Sequence, residues 1–257
     1  MGYGERIEEV SQGKRSNIIL ALDLPVGEES PKDFVDKCSK LVGKVSRHIC
    51  AVKTNRQTAV FLSSTRLSTL VNRMHEMELP TIMDCKLNDV GHTNVVIAEQ
   101  YFDVGFDAIT ASPFVGWKEG LEPVFSLSES MGRGILLLAF MSHTASREGY
   151  GQTVVDAKTR KLVPQYEVFA RWALRWGADG VIVGATYPPI ISEIHGILRD
   201  RVPIYSPGIG PQGGAIGKAM RAGSKYLIVG RSILQSSDPA EAARIICRRA
   251  REPLESF

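Results

Sequence analysis

The sequence has few cysteines and no spacing that would pair them. Four occur in 257 residues, at Cys38, Cys50, Cys85 and Cys247, and none belongs to a C-x-x-C pair. A chain of this length can bury a substantial core without a disulfide scaffold. Because Cys50 and Cys85 lie in apolar runs, we interpret them as small core residues.

Long apolar stretches are also absent. No run approaches the roughly 20 apolar residues of a membrane-spanning helix. The segment from Met1 to Arg15 is polar and charged, with no apolar signal region. The sequence therefore predicts a protein that does not span a membrane, and the cytoplasm is its expected location.

Neither sign of charge is in large excess. Lys and Arg total 31 against 28 Asp and Glu, which gives a net charge of +3. One basic cluster, which we interpret as the solvated face of the last helix, comprises Arg244, Arg248, Arg249 and Arg251. No segment is typical of a nucleic-acid-binding module, so we expect no nucleic-acid partner. A mildly basic protein can still bind an anionic substrate at a local positive site.

The chain instead contains eight short, near-continuous apolar runs, which are typical of strands buried on both faces of a parallel sheet. The runs are 17–23, 48–53, 80–86, 106–112, 134–140, 178–184, 202–206 and 225–230. Segments with helical spacing lie between them, for example 31–42, 59–77, 95–104, 164–176 and 214–222. An open doubly wound sheet is an alternative, but it rarely has eight parallel strands. We therefore predict a single-domain α/β protein, a (β/α)8 TIM barrel over 17–257, after an N-terminal extension over 1–16.

One connection is much longer than a usual strand-to-helix loop. The segment 141–162 follows the fifth run and is polar and rich in Gly, Ser and Thr. It belongs to the end of the barrel where active sites are built. We expect it to be a lid over a site rather than a neutral insertion.

Charged residues collect at the carboxyl ends of the first three runs. Asp23 ends the first, Lys53 ends the second, Asp84 and Lys86 end the third, and Asp89 follows in the loop. Residues two apart share a face of a strand, so Asp84 and Lys86 should both face the barrel mouth. A structural ion-pair network is the alternative. Because desolvating this many charges is costly without a function, we interpret the group as a catalytic site.

Glycine-rich segments follow the last two runs. Ser206–Gly214 follows the seventh, and Gly230 with Arg231 follows the eighth. In barrels a phosphate site commonly forms here, because Gly lets the backbone approach an anion and Arg binds a phosphate in bidentate fashion. We therefore expect a phosphate-bearing substrate.

Taken together, these segments resemble the orotidine 5'-phosphate decarboxylase family over almost the whole chain. The segments that carry the resemblance are Ala21-Leu22-Asp23, Val52-Lys53, Asp84-x-Lys86-x-x-Asp89 with Thr93, Met141-Ser142-His143, Ser206–Gly214 and Val229–Ile233. The D-x-K-x-x-D element is shared with a wider barrel superfamily. The positions of Thr93, Ser142 and Gln212 are more specific to the decarboxylases.

The resemblance implies decarboxylation of orotidine 5'-monophosphate (OMP) to UMP in pyrimidine biosynthesis, by a homodimer and without cofactor or metal ion. It implies that Asp84 lies beside the substrate carboxylate and that Lys86 protonates the pyrimidine carbon. Asp23 and Lys53 would bind the ribose and hold the charged array, which Asp89 completes. Asp89 and Thr93 would also reach the neighbouring subunit's ribose. Ser142 would bind the pyrimidine, and the expected phosphate contacts are Pro207, Gly210, Gln212, Gly230 and Arg231.

Two points stay open at this stage. Some relatives place a Tyr after the Gly-Arg pair, near the phosphate, where this chain has Leu234. Arg147, Tyr150 or Gln152 of the expected lid is a candidate to replace that phosphate contact.

The alternative function is a metal-dependent sugar-phosphate enzyme of the same superfamily, such as a 3-hexulose-6-phosphate synthase. A phosphate-ligand binding protein without catalysis is a third reading. The metal-dependent enzymes need an acidic ligand near the second run and typically a Glu soon after the shared motif, where this chain has Lys53 and Thr93.

Overall fold

Each of the eight predicted apolar runs forms a strand. The computed structural model describes residues 1–210 and 216–252. The strands are β1 (Ile18–Ala21), β2 (Ala51–Asn55), β3 (Thr81–Leu87), β4 (Ala108–Ala111), β5 (Gly134–Phe140), β6 (Thr153–Val155), β7 (Leu162–Pro164), β8 (Gly180–Val183), β9 (Ile204–Pro207) and β10 (Tyr226–Val229). Eight of them close a parallel barrel in the order β1-β10-β9-β8-β5-β4-β3-β2, while β6 and β7 form a separate antiparallel hairpin. The predicted TIM barrel is confirmed.

Helices surround the barrel. They are α1 (Tyr3–Lys14), α2 (Pro31–Val45), α3 (Arg56–Phe61), α4 (Ser64–His75), α5 (Gly91–Val104), α6 (Glu122–Ser130), α7 (Ser146–Gly149), α8 (Gln165–Trp176), α9 (Pro188–Leu198), α10 (Ile216–Arg221), α11 (Arg231–Leu234) and α12 (Pro239–Arg251). The single helix predicted over 59–77 is wrong, because Ser63 interrupts it and caps α4 by accepting a hydrogen bond from the Arg66 N–H. Within the described ranges, no helix is both long and apolar enough to cross a membrane.

The N-terminal helix packs across the amino-terminal end of the barrel. Tyr3 and Ile7 of α1 are fully buried against the barrel interior. The Tyr3 ring occupies the space beside Gly134, where any Cβ would collide with the ring. Gly180 makes the same kind of room for the Tyr205 ring. Aromatic side chains therefore fill the amino-terminal end of the barrel.

A buried carboxylate, that of Asp107, stabilises the amino-terminal end of the barrel. Asp107 has no exposed side-chain surface and pairs with Arg6 of α1, with Arg133 at 3.2 Å and with His75 at 2.8 Å. It also accepts hydrogen bonds from the backbone N–H and the hydroxyl of Thr81. Burial alone raises the pKa of Asp107, but these donors outweigh it and lower the pKa from its ordinary value. The contacts join α1 to the strands.

The long connection over 141–162 has structure of its own. It carries the short helix α7 and the hairpin of β6 and β7, in which Val155 pairs with Leu162. The Tyr150 ring packs against Phe114, Phe140 and Phe169 at centroid distances of 5.3, 6.3 and 6.1 Å. The segment is therefore anchored on the outside of the barrel through an aromatic cluster.

Candidate active site

A cavity of about 280 Å³ opens at the carboxyl ends of the barrel strands. Eight of the residues predicted from the sequence line it, namely Asp23, Lys53, Asp84, Lys86, Ser142, Pro207, Gly230 and Arg231. They come from the ends of six different strands, β1, β2, β3, β5, β9 and β10, as barrel active-site residues do. A larger cavity of about 600 Å³ lies beside α1 at the closed end, away from this group.

Asp84 is the centre of the charged array. One of its carboxylate oxygens, Oδ2, accepts a hydrogen bond from Lys53 Nζ at 2.7 Å, and the other, Oδ1, accepts one from Lys86 Nζ at 2.7 Å. The Lys53 side chain is 8% exposed and that of Asp84 14%, whereas the Lys86 side chain is 37% exposed. Lys86 is therefore the member of the array most open to a ligand in the cavity.

The two ammonium groups keep Asp84 ionised. Burial alone would raise the pKa of this carboxyl group, but Lys53 and Lys86 outweigh that effect and lower it to about 2. At neutral pH the three side chains therefore carry one negative and two positive charges. This fixed array has a net positive charge inside a closed-ended barrel, where it attracts an anion.

The backbone of β3 departs from a regular strand at this point. Met83 pairs with Ile109 and Leu87 with Ala111, so the three residues between them oppose Thr110 alone. Lys86 has a φ of 50°, which is uncommon for a residue with a side chain. Asp84 and Lys86 both line the cavity, as predicted, while Met83, Cys85 and Leu87 pack in the core on the other face of β3, so the side chains alternate through the bulge.

Thr110 is a site residue that the sequence interpretation missed. Its hydroxyl donates to Asp84 Oδ1 at 2.9 Å and accepts from the backbone N–H of Lys86 at 2.9 Å. The residue is 1% exposed and lines the cavity. A signal was present, because Thr110 is a polar residue near the carboxyl end of the fourth apolar run, as Lys53 is in the second.

Two glycines make room for Ser142 at the mouth. A Cβ on Gly184 would lie 2.6 Å from the Cα of Ser142, and one on Gly208 would lie 2.9 Å from its Cβ. The Ser142 carbonyl also accepts a hydrogen bond from the Thr186 hydroxyl at 3.0 Å. Gly208 has a φ of 93°, in the region that favours glycine. The loops after β5, β8 and β9 therefore meet at Ser142.

The phosphate side of the predicted site is formed by the ends of β9 and β10. Pro207, Gly230 and Arg231 line the cavity, and Arg231 is exposed to solvent. Leu234 lines it too, at the position where some relatives have a Tyr. Gly210 is exposed and is not among the lining residues of the described ranges. Gln212 lies outside the described residues.

Asp89 and Thr93 lie apart from this cavity. Asp89 is exposed and accepts a hydrogen bond from the Val90 N–H, and Thr93 is half-buried in the first turn of α5. In the described part of the chain neither residue lines the cavity of its own subunit. Their predicted role towards a neighbouring subunit stays a prediction.

The three candidate lid residues also lie outside the lining of the cavity, as far as the described residues form it. Tyr150 is held in the aromatic cluster, and the Arg147 guanidinium lies over the Tyr187 ring at 5.4 Å from its centroid. Gln152 is exposed at the start of the hairpin. A contact of any of them with a phosphate requires movement of this segment.

Comparison with known proteins places the chain in a family. The model of the Orotidine 5'-phosphate decarboxylase / HUMPS family matches residues 16–246. The chain belongs to this family. The orotidine 5'-phosphate decarboxylase of Methanosarcina barkeri is 32% identical over 233 residues, which cover 91% of this chain and 94% of that protein.

Solved structures of orotidine 5'-phosphate decarboxylases have the same barrel. The crystal structure of the Pyrococcus horikoshii enzyme is 29% identical, with a TM-score of 0.73 over 91% of this chain and 99% of that one. The Leishmania donovani OMP decarboxylase aligns over 100% of both chains with a TM-score of 0.85, and at 22% identity it shows the fold. The charged array of Lys53, Asp84 and Lys86 falls within the part of the chain that the family model matches.

Proposed function

We propose that this protein is an orotidine 5'-phosphate decarboxylase, which converts OMP to UMP and carbon dioxide in pyrimidine biosynthesis. The observation that carries the proposal is the pair of lysine ammonium groups on the Asp84 carboxylate at the barrel mouth. The relatives named above support the same activity.

The array suits a decarboxylation in which the protein supplies only charge and a proton. When the bond to the carboxylate breaks, its electron pair stays on the pyrimidine carbon and carbon dioxide leaves. Lys86, the most exposed member of the array, gives a proton to that carbon and later regains one from solvent. Its positive charge stabilises the developing carbanion before the proton moves.

We assign Asp84 to face the substrate carboxylate. Its lowered pKa of about 2 keeps it negative throughout the neutral range. Two like charges about 4 Å apart repel by about 4 kcal/mol at an effective dielectric of about 20. Loss of carbon dioxide relieves this repulsion, while the two lysines keep the array intact before substrate binds.

The rest of the cavity supplies binding contacts. We assign Asp23 and Lys53 to the ribose and Ser142 to the pyrimidine edge. Arg231 lies where the ends of β9 and β10 meet, and its exposed guanidinium suits a bidentate contact with phosphate. The proposed backbone contacts with the phosphate are Pro207, Gly210 and Gly230, and Gln212 would link the phosphate to the base.

We further propose that the active form is a homodimer. Asp89 is exposed beside Val90, which is itself 53% exposed, and Val96 on the same helix as Thr93 is 52% exposed. A second copy packed on this surface would bury these valines. Asp89 and Thr93 of each subunit would then reach the cavity of the other subunit.

We also propose that the segment 141–162 closes over bound substrate as a lid. All four cysteines are unpaired, in keeping with a cytoplasmic enzyme.

The alternative within this family is a metal-dependent sugar-phosphate enzyme. Here both oxygens of Asp84 already accept hydrogen bonds from ammonium groups, so a cation at this carboxylate would have to displace a lysine. This arrangement favours the decarboxylase.

The deciding assay follows the absorbance of OMP with purified protein after treatment with a strong chelator. We expect OMP to be consumed at the same rate with and without the chelator, and UMP to accumulate. Loss of the activity on chelation, or synthesis of a hexulose phosphate in place of OMP turnover, would support the metal-dependent alternative.

A further inference from the structure

Thr110 lies opposite the bulge in β3. The pairings Met83 with Ile109 and Leu87 with Ala111 leave it as the one β4 residue facing Asp84, Cys85 and Lys86. Bulges of this kind turn side chains towards active sites and leave backbone groups without ladder partners. The structure therefore needs another group to satisfy the freed backbone N–H of Lys86.

The Thr110 hydroxyl is that group. It accepts a hydrogen bond from the Lys86 backbone N–H at 2.9 Å, and its own hydrogen is donated to Asp84 Oδ1 at 2.9 Å. One oxygen atom thus ties the backbone of the proposed proton donor to the carboxylate that its ammonium group contacts. Thr110 is 1% exposed, so water has little access to this hydroxyl.

We propose that Thr110 is a positioning residue that holds Lys86 and Asp84 in their reactive arrangement. This inference rests on the proposed decarboxylation and deepens it. Lys86 has a φ of 50°, a strained conformation that persists only where surrounding contacts enforce it. Without the hydroxyl, the Lys86 N–H loses this acceptor and Asp84 Oδ1 loses one of its two donors, so both groups shift.

The test compares two substitutions of Thr110. Thr110→Val keeps the shape but removes the hydroxyl, and Thr110→Ser keeps the hydroxyl but removes the methyl group. Thr58→Val is the matched control, because Thr58 is also 1% exposed and its hydroxyl makes no hydrogen bond within the described residues. For each variant, kcat and KM for OMP are measured together with the thermal unfolding temperature.

We expect Thr110→Val to lower kcat by about 10- to 100-fold, the range for a lost hydrogen bond to a charged group, with little change in KM. Thr110→Ser should restore most of kcat, and Thr58→Val should match the parent protein. A parent-like kcat in Thr110→Val would overturn the proposal. Equal losses in the Val and Ser variants would also overturn it, because they would assign the effect to packing of the methyl group.

A crystal structure of Thr110→Val gives a readout that does not depend on turnover. We expect the φ of Lys86 to change and the Asp84 carboxylate to rotate away from its present position. Unchanged positions of both residues would contradict the inference, whatever the parent protein does with OMP. Failure of the parent protein to consume OMP would instead count against the proposed function.

Discussion

Asp84 is held by three donors, and this explains how a carboxylate can remain charged in a narrow cavity. Lys53 occupies one oxygen, while Lys86 and Thr110 share the other. Burial of a lone carboxylate would raise its pKa, yet here the pKa falls to about 2. The residues nearest the proposed chemistry are therefore fixed in charge before substrate arrives, as electrostatic preorganisation requires.

Arg231 allows the phosphate assignment to be tested at a single residue. Arg231→Ala should raise KM for OMP by about 10- to 100-fold, since a charge-assisted contact is lost, with a smaller effect on kcat. Steady-state kinetics measure both values. The matched control is Arg249→Ala on α12, an exposed arginine outside the cavity lining. Equal KM values for the two variants would refute the assignment.

Sequence alone predicted the identities of the array and the shared face of Asp84 and Lys86, but not the backbone bulge between them. Polar residues at the ends of apolar runs were enough to select Asp84, Lys86 and Lys53. The bulge at Lys86 depends on how β3 pairs with β4, and no local pattern in 80–86 records that pairing. The sequence marks Thr110 as a polar residue near a strand end, but its hydrogen bonds to Lys86 and Asp84 depend on the pairing of β3 with β4.

At the scale of elements, the mouth depends on close contact between loops. The chain after β5 passes within van der Waals distance of Gly184 after β8, so a side chain at position 184 would strike the backbone of Ser142. The Tyr187 hydroxyl adds a hydrogen bond to the His143 carbonyl at 3.1 Å. The position of Ser142 is therefore set by a second loop that has no predicted role in binding.

Gly184→Ala tests this packing. We expect kcat/KM for OMP to fall by about 100-fold, because displacement of a binding group by about 1 Å can cost that much. The free energy of unfolding should fall by about 1–3 kcal/mol from overpacking. Gly196→Ala on α9 is the control, since a Cβ there meets nothing within 4 Å. A parent-like kcat/KM in Gly184→Ala would show that Ser142 tolerates displacement.

Elements were predicted best where burial alone decides them. The eight strands follow from continuous apolar runs, because both faces of a barrel strand are covered. The break between α3 and α4 depends on Ser63 capping the second helix, which a periodic apolar pattern does not reveal. The burial of α1 was also hidden, because only Tyr3, Ile7 and Ser11 of its residues are buried.

For the molecule as a whole, stability and chemistry reside at opposite ends of the barrel. Asp107→Asn at the closed end should lower the free energy of unfolding by about 3 kcal/mol, since it breaks a buried charged network. For a chain of this size that corresponds to about 6–12 °C in Tm. Its kcat for OMP should equal that of the parent. Asp103→Asn, exposed on α5, is the control.

The free energy of unfolding lost in Asp107→Asn should also depend on pH. The folded pKa of Asp107 lies below its ordinary value, so its contribution is fully present above the unfolded pKa of about 3.9. It disappears as the pH falls through the folded pKa. Denaturant unfolding of parent and Asp107→Asn should therefore converge in acid, and a gap that widens with acidity would contradict the account.

The proposed dimer makes a prediction about mixed subunits. Lys86→Ala and Asp89→Asn should each be poorly active alone. When the two are coexpressed, the mixed dimer contains one site with an intact Lys86 from one subunit and an intact Asp89 from the other. Activity should therefore reappear on mixing, and activity equal to the sum of the separate variants would argue against a site shared between subunits.

The central claim is that Lys86 is the proton donor in decarboxylation. Its most direct test is kcat for OMP with Lys86→Ala, in protein whose unfolding temperature shows that the barrel is intact. Lys40→Ala, an exposed lysine on α2, is the control. We predict that kcat falls by about 10²- to 10⁴-fold or below detection, as expected when a positioned proton donor is removed. Near-parental decarboxylation by folded Lys86→Ala would contradict the account.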